Sequence, residues 1–272
     1  MAGEEITQRR LTLRDLGKLK REGKKLVVVT AYDVLFARLV DAAGVDIVLV
    51  GDSLGNVVAG FDTTLRVTVE HMIYHGAAVR RGVRRAIVVV DMPFLSYQAS
   101  EESAVINCGH VMQQTGADAI KVEGGSDEIV HTVARLTKIG IPIFAHLGFT
   151  PQSIRTIGMR VQGREKSEAD RMVDEAKALE DAGAFALVLE LIPSELAERI
   201  TESLAIPTIG IGAGPHCDGQ VLVLPDLLGL NEGFAPKFLK RYADLSTSVK
   251  EAVQKYGDEV RSGAYPDAEH SN

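Results

Sequence analysis

Four short apolar runs in this 272-residue chain end in a carboxylate. Each run has the length and the β-branched content of a buried parallel strand. The runs are Ile47–Asp52, Ala86–Asp91, Ala119–Glu123 and Ala186–Glu190. Burying a lone carboxylate costs free energy unless a cation or hydrogen-bond donors compensate it. If the four strand ends converge in the fold, they would therefore form a site for a cation.

Strand and helix patterns alternate along the chain, which predicts an α/β protein with about eight strands. The predicted strands are Lys25–Thr30, the four runs above, Ile143–His146, Pro207–Ile211 and Val221–Val223. This alternation favours a single (β/α)₈ TIM barrel of ~250 residues. The alternative is an open doubly wound sheet, but Thr30–Asp33 occupies the turn where a G-x-G-x-x-G sequence would be expected.

The domain boundaries follow from the same pattern. An amphipathic stretch within residues 1–24 is expected to form an N-terminal helix that caps the barrel, and residues 25–261 the barrel itself. Residues 262–272 are polar and are expected to be a disordered tail. The polar stretch from Gly148 to Lys166 is longer than most connections, so it is a candidate lid.

Composition narrows the class of partner. The chain is 46% hydrophobic and 25% charged, which allows a large core, and its net charge of -7 argues against nucleic acid as a partner. No apolar stretch reaches the ~20 residues of a membrane span. The two cysteines, Cys108 and Cys217, form no C-x-x-C pair, and residues 1–5 are acidic without an apolar signal region. We therefore expect a reduced, cytoplasmic compartment.

The acidic strand ends are candidates for a metal site, because barrel active sites lie at the C-terminal ends of the strands. Asp52, Asp91 and Glu123 would offer the carboxylate oxygens that Mg²⁺ prefers. The lack of a nearby cysteine argues against Zn²⁺. Taken singly, each acid could instead cap a turn or pair with a basic residue.

Three further residues stand in the same layer. Lys121 lies two positions before Glu123, so both side chains point to the same face of their strand. They form either a pair that satisfies itself or a substrate-binding lysine beside a metal ligand. His146 is either a pocket residue that binds substrate or a core histidine. Glu190 is either a general base across the pocket or a cap for the helix near Ser194.

The glycine-rich segment Gly210–Gly214 follows a predicted strand. It lacks the Gly-Lys-Ser/Thr of a P-loop. After the seventh strand of a barrel it could bind a phosphate group. It could equally be a tight turn that lets a flat ligand approach the backbone at Gly212 and Gly214.

Several longer motifs resemble the ketopantoate hydroxymethyltransferase family, in order and from about residue 10 to residue 260. They are Val50–Gly55, Thr63–Leu65, His71–His75, Asp91–Tyr97, Lys121–Gly125, His146–Gln152, Val161–Arg164, Gly210–Gly214, Cys217–Val223 and Pro236–Phe238. The resemblance implies a barrel of the phosphoenolpyruvate/pyruvate-like superfamily. It also implies transfer of a hydroxymethyl group from 5,10-methylenetetrahydrofolate to 3-methyl-2-oxobutanoate, which gives 2-dehydropantoate in pantothenate (coenzyme A) biosynthesis.

The resemblance also implies roles for individual residues. Asp52, Asp91 and Glu123 match the family's Mg²⁺ site, and Glu190 matches its proton acceptor. The resemblance implies contacts to the oxo acid at Asp52, Ser53, Asp91 and Lys121. From its place in the same layer we expect His146 to bind the substrate as well, and from their place after the seventh strand we expect Gly212 and Gly214 to contact the folate. A homodecamer is the family's usual assembly.

The chemistry suits such a site, since a 2-oxo acid can chelate Mg²⁺ and the cation stabilises the enolate formed when C3 loses a proton. A related Mg²⁺ lyase or aldolase would need the same enolate, but the Lys-Lys-Cys-Gly-His loop expected of the isocitrate-lyase-like branch is missing. A non-catalytic barrel that serves as a scaffold or ligand sensor is the other alternative.

Overall fold

The protein folds as a closed barrel of parallel strands, in a computed structural model that describes residues 9–271. Each strand pairs in parallel with both of its neighbours in the chain, and β8 returns to pair with β1. The strands are β1 (Leu26–Thr30), β2 (Ile47–Val50), β3 (Ile87–Asp91), β4 (Ala119–Glu123), β5 (Ile143–Gly148), β6 (Ala186–Glu190), β7 (Thr208–Ile211) and β8 (Gly219–Leu222). The (β/α)₈ barrel expected from the sequence is therefore confirmed.

Helices connect the strands, and three of them begin with a side-chain cap. Asp33, Thr68 and Ser100 each accept a hydrogen bond from a backbone N–H in the first turn of the following helix. The helices are α1 (Leu13–Arg21), α2 (Val34–Ala42), α3 (Leu54–Val57), α4 (Val69–Gly82), α5 (Glu101–Thr115), α6 (Asp127–Lys138), α7 (Ile154–Ile157), α8 (Lys166–Asp181), α9 (Ser194–Ser203), α10 (Leu224–Leu227) and α11 (Leu245–Ser262). Short 3₁₀ turns occupy Thr64–Arg66, Pro151–Ser153 and Ala268–His270.

The barrel interior is filled by every second residue of the strands, because side chains alternate between the two faces of a sheet. Leu16 of α1 is fully buried in the same core, and Leu13 and Leu19 pack against it. The strand residues of this core are Leu26, Val28, Ile47, Leu49, Ile87, Val89, Ala119, Phe144, Ala186, Val188, Ile209 and Val221. These aliphatic layers form the packed floor beneath the C-terminal ends of the strands.

Several boundaries differ from the sequence-based expectation by one or two residues, and β5 extends to Gly148. Three differences bear on the site and the closure of the barrel. Strand β2 ends at Val50, so Asp52 lies in the turn that follows it rather than on the strand. Strand β8 begins at Gly219, two residues before the predicted start. A Cβ atom at this position would come within 2.5 Å of the Leu26 carbonyl oxygen of β1. Glycine is therefore required there, although it has a weak preference for strands. The connection after β5 is not a plain loop, since it contains the 3₁₀ turn Pro151–Ser153 and helix α7.

The chain divides into two compact units, Met1–Val223 with the barrel and Leu224–Asn272 with α10 and α11. The predicted boundaries at residues 24 and 262 stay predictions, and residues 1–8 and 272 lie outside the described residues. Cys108 and Cys217 are buried free thiols. Within residues 9–271, no helix is long and apolar enough to cross a membrane.

Candidate active site

Charged side chains continue the inward-facing rows of the barrel at the C-terminal ends of β3 and β4. On β3, Asp91 follows Ile87 and Val89 in the row of inward-facing residues. On β4, Lys121 and Glu123 follow the inward-facing Ala119 in the same way. Asp91 is the register partner of Lys121 across the two strands. The parallel register therefore gathers both acids and the lysine in one layer above the apolar core.

Lys121 is the buried cation of this layer, with only 5% of its side chain exposed. Its Nζ lies 2.7 Å from Asp91 Oδ1 and 3.6 Å from Glu123 Oε1. Burial lowers the pKa of Lys121, but Asp91, Glu123 and Asp52 outweigh burial and raise the pKa overall. The lysine therefore pairs more closely with Asp91 than with the neighbour on its own strand, and a self-contained Lys121–Glu123 pair does not describe the cluster.

Asp52 reaches the cluster from the turn after β2. Its backbone N–H donates to Asp91 Oδ2 over 3.0 Å, and its own Oδ2 accepts from the Gln152 side chain over 3.1 Å. Burial, followed by repulsion from Glu123 and Asp91, raises the pKa of Asp52 to about 8. Without a bound cation the Asp52 carboxyl is therefore largely protonated at neutral pH, because Lys121 alone does not offset three buried acids.

His146 joins this cluster to Glu190 on the far side of the pocket. Strand β5 places His146 beside Glu123 in register, with His146 Nδ1 3.4 Å from Glu123 Oε1. The other ring nitrogen, Nε2, lies 3.3 Å from Glu190 Oε2. Burial and Lys121 lower the pKa of His146, but the two carboxylates outweigh them and raise it to about 9. His146 is therefore an imidazolium at neutral pH, held between two acids.

Glu190 differs from the other acids in its exposure. Its side chain is 18% exposed, against 3% for Asp91 and for Glu123. The next residue, Leu191, has a φ of 48°, in the left-handed region that side chains other than glycine rarely adopt. Leu191 donates its N–H to the Ile211 carbonyl oxygen and accepts from Gln162 N–H, and these bonds hold the turn at the Glu190 end of β6. The helix-cap role considered for Glu190 has no support, since α9 shows no side-chain cap.

Ser53 lies beside Asp52 and is oriented by Tyr32. The two hydroxyl oxygens are 2.9 Å apart. A Cβ atom at the preceding residue, Gly51, would come within 2.7 Å of Ser53 Oγ and 3.4 Å of Asp91 Oδ2. Glycine is therefore required at this turn for the hydroxyl and the two carboxylates to approach one another.

Gly212 and Gly214 follow β7, both with positive φ. A Cβ atom at Gly214 would collide with Ser194 at the start of α9, so this glycine has a packing role. Its carbonyl oxygen accepts a hydrogen bond from the Gln220 side chain over 3.0 Å. Of the two readings for this segment, the tight turn matches its backbone, while its folate contact stays a prediction.

Sequence reasoning missed two buried polar residues of the site, Tyr97 and Gln152. Tyr97 Oη donates to the Gln152 side-chain oxygen over 3.0 Å and accepts from Glu123 N–H over 3.0 Å. Burial raises the pKa of Tyr97 well above its ordinary value, so the phenol stays protonated. Their only sequence signal is that they stand inside the motifs Asp91–Tyr97 and His146–Gln152.

The acids of the site do not form a preformed metal centre by themselves. Among residues 9–271, no three or more His, Cys, Asp and Glu side chains are arranged as a ready-made metal site. Mg²⁺, however, often takes only one or two protein carboxylates and completes its shell with water and substrate oxygens. The surplus of buried carboxylates around Asp52 and Asp91 fits that kind of site.

Comparison with known proteins gives one consistent result. The family model described as ketopantoate hydroxymethyltransferase matches residues 10–268. A relative from Pelobacter propionicus is 54% identical over 97% of this chain and 98% of its own length. One from Geobacter metallireducens is 51% identical over 97% of this chain and 98% of its own length. Both relatives carry the name 3-methyl-2-oxobutanoate hydroxymethyltransferase.

Solved structures with the same fold are more distant in sequence. A 2,3-dimethylmalate lyase of the PEP mutase/isocitrate lyase superfamily aligns with a TM-score of 0.60 and 17% identity, over 96% of this chain and 92% of that one. A phosphoenolpyruvate phosphomutase from Streptomyces platensis aligns with a TM-score of 0.62 and 13% identity, over 93% and 88%. At this identity the likeness shows the barrel fold alone.

Proposed function

The chain belongs to the ketopantoate hydroxymethyltransferase family, and on that premise we propose that it transfers a hydroxymethyl group from 5,10-methylenetetrahydrofolate to 3-methyl-2-oxobutanoate. The product would be 2-dehydropantoate, with one water molecule supplying the oxygen of the new hydroxyl group. Relatives that align with nearly the whole chain are named as hydroxymethyltransferases, which supports an enzymatic function. The donor, the cation and the residue roles are the parts that we propose.

One observation carries the proposal, which is the charge balance at the strand ends. Asp52, Asp91 and Glu123 are each buried beside Lys121, the cation they share. Buried carboxylates in excess of their cations are costly unless another positive charge joins them. A 2-oxo acid enters as an anion, so it would bind there only together with a cation.

Asp52 and Asp91 are the residues that we propose hold Mg²⁺, with Glu123 completing the set directly or through water. When bound, the cation would supply Lewis-acid stabilisation to the negative charge that develops on the substrate's keto oxygen. The backbone N–H of Asp52 donates to Asp91 Oδ2, which keeps the two acids adjacent. Removal of the cation with a chelator should therefore abolish turnover and be reversed by added Mg²⁺.

Lys121 and Ser53 are suited to bind the carboxylate of the substrate. Lys121 stays protonated because three acids raise its pKa, and its charge opposes that of the incoming anion. Ser53 presents a hydroxyl group that Tyr32 orients. His146, as an imidazolium, would stabilise negative charge on the far side of the substrate.

Glu190 is the proposed general base that removes the C3 proton. It is the most exposed of the four acids, so a substrate could reach it. His146 Nε2 lies 3.3 Å from Glu190 Oε2, so the ring is placed to orient this carboxylate. Water would cleave both C–N bonds of the methylene bridge, which releases tetrahydrofolate and a one-carbon unit at the oxidation level of formaldehyde. The C3 carbanion would add to that carbon, and its oxygen would take up a proton to become the new hydroxyl group. The connection after β5 would limit the access of bulk water to C3.

Gly212 and Gly214 remain the proposed folate contacts. Their positive φ exposes backbone in a turn directly after β7, at the same end of the barrel as the acids. A flat pteridine ring can approach such backbone more closely than it can approach a side-chain-bearing segment.

Self-association into a homodecamer is the proposed assembly, and exposed apolar side chains support it. Leu35 and Leu39 of α2, Tyr74 of α4 and Ile106 of α5 are each more than 60% exposed. Helix α4 packs against both α2 and α5, so these residues lie on adjoining helices. Exposed apolar residues on neighbouring elements indicate a protein interface.

A turnover assay tests the proposed function. Purified protein with Mg²⁺, 3-methyl-2-oxobutanoate and 5,10-methylenetetrahydrofolate should form 2-dehydropantoate and tetrahydrofolate in equal amounts. Formation of neither product, with the protein folded by circular dichroism, would overturn the proposal and favour a non-catalytic barrel. Cleavage of a 2-hydroxy or 2-oxo acid without folate would favour the lyase alternative.

A further inference from the structure

Gln152 uses every hydrogen-bonding group of its side chain inside the site. Its Nε2 donates to Asp52 Oδ2 over 3.1 Å and to the Met92 carbonyl oxygen over 2.8 Å. Its Oε1 accepts from Tyr97 Oη and Gln98 Nε2, each over 3.0 Å. An amide has two donors and two acceptor positions, so this one is saturated.

The partners allow only one orientation of this amide. If oxygen and nitrogen were exchanged, the amide oxygen would face the Met92 carbonyl oxygen, which cannot donate, and the Asp52 carboxylate, which cannot donate once it is ionised to hold a cation. The amide nitrogen would then face Gln98 Nε2, which cannot accept. The surroundings of Gln152 therefore direct its NH₂ group at Asp52.

Gln152 also reaches Glu123 through its backbone. Its N–H donates to Glu123 Oε2 over 3.2 Å, while Tyr97 Oη contacts both the backbone of Glu123 and the Gln152 side chain. One residue thus ties the acid after β2 to the acid that ends β4. It stands on the 3₁₀ turn Pro151–Ser153 and is 5% exposed, so it is held rigidly.

Asp52 needs such support more than the other acids do. Asp91 and Glu123 end strands, and their backbones are held by the barrel ladder, whereas Asp52 lies two residues beyond β2. A single donor on Oδ2 leaves the other carboxylate oxygen of Asp52 available for a cation. Groups that hydrogen-bond to ligating carboxylates in this way orient them and tune affinity.

We propose that Gln152 is a positioning residue that orients Asp52 and Glu123 for cation binding without touching the cation or the substrate itself. This inference rests on the proposed function, since it assumes that Asp52 helps to hold a divalent cation. It gives the connection after β5 a second task besides covering the pocket. It also makes Tyr97 and Gln98 the supports of that amide.

Gln152→Met tests the proposal, because methionine keeps the side-chain volume and removes all four hydrogen bonds. Binding of Mn²⁺ to the substrate-free protein, measured by electron paramagnetic resonance, should weaken ~10–100-fold, as for other partners of metal ligands. The Mg²⁺ concentration that half-saturates activity should rise, while kcat at saturating Mg²⁺ is largely retained. If Gln152 had only a structural role, its loss would reduce the fraction of folded protein and so the apparent kcat. The Mg²⁺ concentration that half-saturates activity would then stay unchanged.

Two further variants keep the test decisive. Gln152→Asn retains the amide but is one methylene too short to reach its partners, so it should weaken Mn²⁺ binding in the same way, and it replaces the methionine variant if that one does not fold. Thr201→Val is the control, since it removes a buried hydrogen bond to Thr208 Oγ1 at the opposite end of the barrel. Its Mn²⁺ affinity should equal that of the wild type.

The outcomes separate this inference from the proposed function. If the wild type binds Mn²⁺ tightly and the Gln152 variants bind it equally well, the positioning role is wrong while the cation site stands. If the wild type itself shows no Mn²⁺ binding that Asp52→Ala abolishes, the proposed cation site fails and the positioning role fails with it.

Discussion

The protonation state of each charged residue in the site depends on a balance between burial, which favours the neutral form, and the charges of its neighbours. Burial favours the neutral forms of Lys121 and His146, yet the surrounding carboxylates raise the pKa of both, so both stay positively charged. Burial and mutual repulsion raise the pKa of Asp52 and Asp91. Lys121 and His146 lower the pKa of Glu123 despite its burial. Two cations are therefore too few for the acids around them, and the raised pKa of Asp52 and of Asp91 marks the place that a further cation would occupy.

Replacement of Asp91 tests this charge balance. In Asp91→Ala we expect the half-saturating Mg²⁺ concentration and the KM for 3-methyl-2-oxobutanoate to rise together. The rise should be at least ~10–100-fold, because loss of a residue that only hydrogen-bonds to a metal ligand already has an effect of that size. The measurement is activity titrated with Mg²⁺ at several substrate concentrations. Asp118→Ala is the matched control, because Asp118 pairs with Arg10 and Arg80 just before β4 begins. An unchanged Mg²⁺ titration in Asp91→Ala would remove Asp91 from the cation site.

The charged residues could be found from the sequence, whereas their supports could not. An acid at the end of an apolar run conflicts with its local pattern and is visible for that reason. Gln152 conflicts with nothing nearby, and its partner Asp52 is 100 residues away in the chain. Such a contact depends on how the barrel closes, which no local pattern encodes.

At the scale of elements, the ends of β5 and β6 approach so closely that only glycine fits between them. Gly148 ends β5 two residues after His146, and it has a φ of 96°. A Cβ atom at Gly148 would collide with the backbone carbonyl of Glu190 and lie 2.8 Å from Ile192 Cγ2. The position of Glu190 therefore depends on a residue of the neighbouring strand.

Gly148→Ala and Gly140→Ala form a matched pair that separates strain from collision. Both glycines have positive φ, but a Cβ atom at Gly140 would meet nothing within 4 Å. Gly140→Ala should cost only the backbone strain, about 1–3 kcal/mol of unfolding free energy, and keep full activity. Gly148→Ala should cost about 1–3 kcal/mol more from the collision and also lower kcat, because Glu190 shifts. Chemical denaturation and kinetics measure both, and equal behaviour of the two variants would contradict this account.

The strands that β-branched runs define were predicted almost to the residue, since β3, β4 and β6 end at Asp91, Glu123 and Glu190. Prediction failed where tertiary contacts override local preference. Strand β8 begins with glycine because β1 approaches it there, and the turn Gly51–Ser53 ends β2 early so that Asp52 can face Asp91.

At the scale of the whole molecule, the apolar surface of α2, α4 and α5 predicts self-association. Leu39→Glu places a charge in that surface, so it should convert the wild-type oligomer into smaller species with an intact fold. Size-exclusion chromatography with light scattering measures the mass. Lys138→Glu, an exposed charge reversal on α6, should leave the mass unchanged. A wild-type monomer, or an oligomer that Leu39→Glu leaves intact, would contradict this use of the surface.

The barrel brings charged residues of β3, β4, β5 and β6, and Asp52 of the turn after β2, to one end. The step that we propose for them is removal of the C3 proton. Proton NMR in D₂O can follow that step alone, with 3-methyl-2-oxobutanoate, Mg²⁺ and no folate. The wild type should exchange the C3 proton only when Mg²⁺ is present. Glu190→Gln should bind the substrate but exchange ~10²–10⁴-fold more slowly, the usual contribution of a general base. Exchange at the wild-type rate in Glu190→Gln would contradict the account.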